Sequence, residues 1–330
     1  MLEDIFGSKI GVKILAHVGR KPYREFYLNE LSKNLGIGLG RTATLLENLV
    51  RENVMTRKKS GNRLLYRLNH NNPLAFEIIR FANLNALSGL PEKFRTAIGN
   101  FTKNYRETLG DNLVSVVVFG SVSSGKATNF SDIDIFVLTQ ENIDKRTKKK
   151  MADIFSGVSA VFSQTTEEHI FSVGQFREDY ETGDDFLINV MREGIIVFDK
   201  NDFFGRFLLK GLPVVTRASV EKRLKIAKQW LDSSTEMFKK HPNIASQLAP
   251  AAMHLSRALL LLNRVIPESK HDVPEQLKSI GEHKFSEIYI KTREWWDNPP
   301  LEVDKDDLWE ILSFLREKYN ECRKKLEGWA

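Results

Sequence analysis

The chain is short of cysteine: Cys322 is the only one in 330 residues. That excludes an internal disulfide and any cysteine-rich zinc site. It also lacks a long apolar run; none approaches the roughly 20 residues that cross a bilayer, so no membrane partner is expected. No basic, apolar, small-residue leader opens the sequence. Together these absences point to a cytoplasmic protein. Internal repeats and low-complexity segments are missing too. What remains, 42% apolar and 28% charged residues, is the composition of an ordinary globular chain long enough for two or three domains.

Charge is unevenly spread. The net charge is +6, yet residues 1–70 hold 13 Lys and Arg against 6 Asp and Glu, an excess of seven. The whole basic excess therefore lies in the first segment. A basic N-terminal module suits contact with phosphate backbones, although a solvated surface would look the same by charge alone.

Periodicity divides the chain into an N-terminal module over 1–72, a connecting helix over 73–90, an alternating helix and strand region over 91–204 and a wholly helical region over 205–330. In the first, Ile10, Ile14, Leu15 and Val18 have helical spacing. A second helix (28–35), a Gly36-Ile37-Gly38 turn and a third helix (39–52) follow. The third presents Thr42, Leu46, Leu49 and Asn53 on one face. Two strand-like pieces, 55–59 and 63–68, are joined by Ser60-Gly61-Asn62, which suits a tight hairpin. This order resembles the winged helix-turn-helix family of DNA-binding domains. The resemblance implies that Arg41, Thr44 and Asn48 reach base edges of double-stranded DNA, and that Lys58, Lys59 and Arg63 of the wing meet phosphate. A winged helix used for protein contacts is the alternative, and a homodimer stays open.

Chemistry concentrates in the middle region. A strand that is apolar but for Ser115 from about Leu113 to Phe119 runs into Gly120-Ser121, with Gly125 and Lys126 close behind, then Ser131-Asp132-Ile133-Asp134-Ile135. Glycine lets the backbone turn and approach a ligand closely. Amides at a helix start attract phosphate. Asp132 and Asp134, two apart on a strand, point to one face while Ile133 and Ile135 point to the other. Paired carboxylates repel unless a cation lies between them, and hard oxygen ligands select Mg²⁺ or Mn²⁺. A phosphate cradle beside two acids is equipment for metal-assisted phosphoryl or nucleotidyl transfer.

These residues closely resemble the signature of the nucleotidyltransferase superfamily that includes DNA polymerase beta. The resemblance implies Asp132 and Asp134 as metal-holding catalytic acids, Gly120, Ser121, Gly125, Lys126 and Ser131 as nucleotide-binding residues, and AMP transfer from ATP or another nucleoside triphosphate to an acceptor hydroxyl. It also implies a third carboxylate on the neighbouring strand. The candidate strand, 158–163, carries no acid. Glu167 and Glu168 lie just beyond it, but Thr165 followed by Glu168 has the form of a helix capping box, and that is the favoured reading. The missing acid leaves a second function open: a non-catalytic, DNA-binding regulator that senses nucleotide through its central domain. The run Lys145-Arg146, Lys148-Lys149-Lys150 has the form of a solvated helix face.

The C-terminal stretches 254–262 and 270–277 weakly resemble HEPN domains. The ribonucleases of that family carry a closely spaced Arg and His. Here Arg264 and His271 are seven apart and no His follows Arg293, so no nuclease motif is expected and His271 is read as a capping or packing residue. The overall expectation is a multidomain α+β protein: winged helix, nucleotidyltransferase-type mixed sheet, helical bundle.

Overall fold

The computed structural model describes residues 9–61, 63–128, 131–162, 166–240 and 244–329, without the side chains of 155 and 158–162. Asn62 of the hairpin turn, Ser163, Thr165 of the expected capping box and Pro242 lie outside the described residues. The chain divides into two compact units, Met1–Glu178 with Phe186–Leu212, and Asp179–Asp185 with Pro213–Ala330.

The first unit begins with α1 (Lys9–Arg20), β1 (Phe26–Tyr27), α2 (Leu28–Leu35), α3 (Leu39–Arg51), β2 (Met55–Ser60) and β3 (Arg63–Leu68). The three strands form an antiparallel sheet in the order β1-β3-β2. Ile14 and Val18, at helical spacing on α1, are buried, as are Leu31 of α2, Leu46 of α3 and Phe26, Met55, Tyr66 and Leu68 of the strands. β2 is exposed at every position after Met55. Asn53 stands outside α3, in a left-handed turn with φ 58°, so it is not part of that helix face. Its carbonyl and side-chain oxygens accept from the Asn69 amide at 2.9 Å, which fixes the turn into β2.

α4 (Leu74–Gly89) packs on α1, and α5 (Glu92–Leu109) leads into the central sheet. That sheet contains β4 (Leu113–Phe119), β5 (Ile133–Thr139), β6 (Thr166–Ser172) and β7 (Ile195–Asp199), in the order β6-β5-β4-β7. β4 is antiparallel to both neighbours, whereas β5 and β6 are parallel. A parallel pair needs a crossover, supplied here by α7 (Lys145–Phe162). One face of the sheet, with Val116, Val118, Ile133, Ile135 and Val137, is covered by Phe94, Ile98, Phe101 and Tyr105 of α5 and Met151 of α7. On the other, Phe136 and Phe171 pack among Phe176 of α8 (Val173–Thr182), Phe186 of α9 (Asp185–Glu193) and Phe204 of α10 (Phe203–Lys210).

The expected strand over 158–163 is not there. α7 runs through to Phe162, and the neighbouring strand is β6. Val158 and Val161 favour strands locally, but a parallel neighbour for β5 can begin only after the crossover has returned along the sheet.

The second unit consists of helices α11 (Arg217–Lys240), α12 (Ala245–Leu262), α13 (Val273–Ser279), α14 (His283–Asp297) and α15 (Lys305–Glu327). Leu255, Leu259 and Leu262 of α12 share its core with Leu224, Phe285, Leu312 and Cys322. Pro250 lies inside α12, past its first turn, and supplies no backbone donor to the Ser246 carbonyl there. Among the described residues, no helix is long and apolar enough to cross a membrane.

Candidate active site

The site is built where β4 ends. Phe119 leads into a five-residue helix, α6 (Gly120–Ser124), closed by Gly125 in the left-handed region at φ 74°. Gly120 itself has φ 69°, and a Cβ built there would overlap the Asp134 carboxylate. Only glycine combines that conformation with that approach. The turn is held from within: Ser123 Oγ donates to the Gly120 carbonyl at 3.0 Å and the Lys126 amide donates to the Ser121 carbonyl at 3.0 Å.

Asp134 lies in β5 directly opposite Phe119 of β4. Asp132 immediately precedes β5 and is exposed, while Ile133 and Ile135 are buried in the core. Ser131 shapes the loop ahead of Asp132. Its Oγ accepts the Thr128 amide at 2.8 Å, and its own amide reaches back to the Thr128 carbonyl at 3.3 Å. Ser121 is half-buried and Lys126 is exposed.

The neighbouring strand does carry an acid. In the β5–β6 register Asp134 pairs with Glu167 and Ile135 with Glu168. Aligned residues of a parallel pair share a face, so Glu167 stands on the Asp134 side. Its side chain is 64% exposed, with one carboxylate oxygen 3.4 Å from His169 Nε2. His169 rests on Phe186 at 4.7 Å and Phe119 at 5.5 Å between ring centres, which gives the site an aromatic floor. Glu168 points into the opposite face, accepts a short hydrogen bond from Tyr105, and is pushed up to about 7 by burial. The capping-box reading therefore fails: Glu168 lies inside a strand. The missed signal was the β-favouring Ile170-Phe171-Ser172 that follows, since the preceding Glu-Glu-His does not alternate in polarity.

The donor set fits a hard divalent cation. Mg²⁺ typically takes one or two carboxylates and completes its shell with water and substrate phosphate, and two acids beside a tight glycine turn match that demand. Among the described residues no three His, Cys, Asp or Glu side chains converge into an all-protein metal cage.

The DNA-facing residues expected from sequence are brought together only in part. Arg41, Thr44 and Asn48 are all exposed on α3. Thr44 Oγ1 donates to the Gly40 carbonyl at 3.0 Å and Asn48 Oδ1 accepts from Arg51 at 2.7 Å. On the hairpin, Lys58 is paired with Glu25 at 2.6 Å and Arg63 lies over the Tyr27 ring at 5.6 Å, while Lys59 is exposed.

Residues 100–203 match the family described as Polymerase beta, Nucleotidyltransferase. A putative protein adenylyltransferase of Methanocaldococcus jannaschii is 23% identical over 146 residues, 39% of this chain and 92% of that relative. Among solved structures, a spectinomycin adenyltransferase from Enterococcus faecialis, with ATP and spectinomycin, has a TM-score of 0.42 at 16% identity, covering 68% of this chain and 98% of that one. A toxin–antitoxin complex with AMP-PNP has a TM-score of 0.27 at 19% identity, covering 34% and 82%. The family match thus places a nucleotidyltransferase domain at the centre of the chain, over residues 100–203.

Proposed function

We propose that the chain transfers AMP from ATP to an acceptor hydroxyl, at the face formed by Gly120, Ser121, Asp132, Asp134 and Glu167. The observation that carries this reading is the register of Glu167 with Asp134, which adds a third acid beside the Gly120 turn. The family match over 100–203 and the adenylyltransferase relative support the same reaction class. Asp132 and Asp134 would hold Mg²⁺ or Mn²⁺, and the ion would supply charge neutralisation for the phosphates. Backbone amides of the Gly120–Ser124 turn receive the distal phosphates. Glu167 accepts the acceptor's proton as its oxygen bonds to the α-phosphorus; the bond to the β-phosphate breaks and pyrophosphate leaves. Since the relative carries the name protein adenylyltransferase, a hydroxyl on a protein side chain is the acceptor class to test first.

The reading as a nucleotide sensor without turnover drew its force from an acid-free neighbouring strand. With Glu167 on β6 that support is gone. The N-terminal module is proposed as a winged helix that binds double-stranded DNA, on the strength of its helix and hairpin order, exposed Arg41, Thr44 and Asn48, and local excess of positive charge. The C-terminal unit is proposed as a HEPN-like helical domain that cuts no RNA. The deciding experiment incubates the protein with each labelled nucleoside triphosphate and Mg²⁺ or Mn²⁺. Label on protein, with release of pyrophosphate, is expected from ATP; no label from any nucleotide on protein, nucleic acid or metabolite would refute the enzyme reading.

A further inference from the structure

Arg20 ends α1, far in sequence from the matched segment, yet its guanidinium reaches the nucleotide turn. It donates to the carbonyls of Glu193 and Gly194, each at 2.6 Å, to Asn83 Oδ1 at 3.3 Å and to the Ser123 carbonyl at 3.4 Å. Ser123 belongs to α6, and its hydroxyl closes that turn on Gly120.

The anchor behind Arg20 is rigid. A Cβ on Gly19 would overlap the Ile78 carbonyl and the Ala82 side chain, so α1 and α4 touch backbone to backbone at this point. Asn83, buried on α4, accepts the Ile196 amide of β7 at 2.9 Å and donates to the Ile79 carbonyl at 2.7 Å. A planar guanidinium can bridge acceptors in a fixed fork, which an ammonium cannot. Burial brings Arg20 down only to about 10, so it remains charged at neutral pH.

We propose that Arg20 is a positioning residue for the nucleotide site: from the N-terminal module it ties Ser123 to the 193–194 turn and thereby fixes the Gly120–Ser124 turn that receives phosphate. This rests on the nucleotide-binding reading of that turn. A purely structural role would instead fasten α1 to the unit without affecting the turn selectively.

The test compares full-length wild type, Arg20→Lys and the Asp132→Asn/Asp134→Asn double variant. Lys retains charge and length to reach the paired carbonyls of Glu193 and Gly194 but loses the fork to Ser123 and Asn83. Titration calorimetry with ATP and Mg²⁺, thermal unfolding and amide hydrogen exchange are measured on each. For Arg20→Lys we expect binding about tenfold weaker, because a looser turn must be ordered as the phosphate binds. We also expect an unfolding midpoint lowered by no more than a few degrees, and faster exchange at 120–126 with the amides of β4 and β5 unaffected. Wild-type ATP affinity in Arg20→Lys, or a chain that fails to fold or exchanges faster throughout the sheet, overturns the proposal. If instead the double Asn variant binds ATP like wild type, the nucleotide reading itself fails, whatever Arg20 does.

Discussion

Two groups of acids in this chain are handled in opposite ways. Asp132, Asp134 and Glu167 line one face of the central sheet, with Asp132 and Glu167 exposed. Asp179, Asp184 and Asp185, in the second unit, are sunk among cations: Lys222 binds Asp179 and Asp184 at 2.7 and 2.8 Å, and Arg223 and Arg257 each bind Asp185 at 2.6 Å. Asp185 is fully buried. The first group stands on a sheet face, with two of its members exposed, and the second is buried in ion pairs. The proposed site therefore rests on acids in reach of solvent beside a glycine turn, not on acids alone. The first should be sensitive in function and tolerant in stability, and the second the reverse.

The strongest test of the second half is Asp185→Ala. It leaves Arg223 and Arg257 without their shared partner, and breaking a buried pair costs about 3–5 kcal/mol. All five tryptophans, Trp230, Trp295, Trp296, Trp309 and Trp329, lie in the second unit, so tryptophan emission during urea unfolding follows that unit. A loss below about 1 kcal/mol would show that the cluster holds nothing together.

On the other side, Glu167→Gln should lower AMP transfer by about 10²–10⁴-fold, the usual worth of a general base, while ATP affinity and stability stay close to wild type. Steady-state kinetics with calorimetry separates the two; an equal loss in binding and turnover would recast Glu167 as a binding residue.

The contrast extends to pH. Burial raises the Asp185 carboxyl, but Arg257 and Arg223 outweigh it and hold it below the ordinary 3.8. Its stabilisation is complete above that value and is lost as pH falls through the depressed one. Glu168 has the opposite sign. Raised to about 7 from 4.5, it contributes stability fully below pH 4.5, lost as pH rises to about 7. Protection in β5, taken relative to the intrinsic base-catalysed exchange rate at each pH, should thus fall between pH 4.5 and 7 in wild type and lose that dependence in Glu168→Gln. Tryptophan-detected stability should fall only under more acid conditions.

How far this was legible follows the same division. Gly120, Ser121, Asp132 and Asp134 stood out because a buried strand, a glycine turn and an alternating strand each leave a local pattern. The hairpin and the long amphipathic helices were equally readable. Glu167 was hidden because strand pairing between β5 and β6 is set by the crossover, not by local propensity. Asp185 was hidden because its partners lie 38 and 72 residues away. Ser131 reads in sequence as a nucleotide contact, and nothing in its context signals the bond to the Thr128 amide.

The smallest effects belong to the N-terminal module. If α3 and the hairpin bind DNA, Arg41→Ala on α3 should cost about 1–3 kcal/mol and relax sequence preference, and Lys59→Ala on the hairpin should weaken all sequences alike. Lys58→Ala should cost least, because Lys58 already pairs with Glu25. Mobility shifts at two salt concentrations check this order.

Calorimetry with ATP, with and without Mg²⁺, decides whether Asp132 and Asp134 form a metal-dependent nucleotide site. Binding by wild type should require Mg²⁺ and disappear in Asp132→Asn and in Asp134→Asn, while both variants unfold near the wild-type temperature. Equal ATP binding by wild type and the double Asn variant would contradict it.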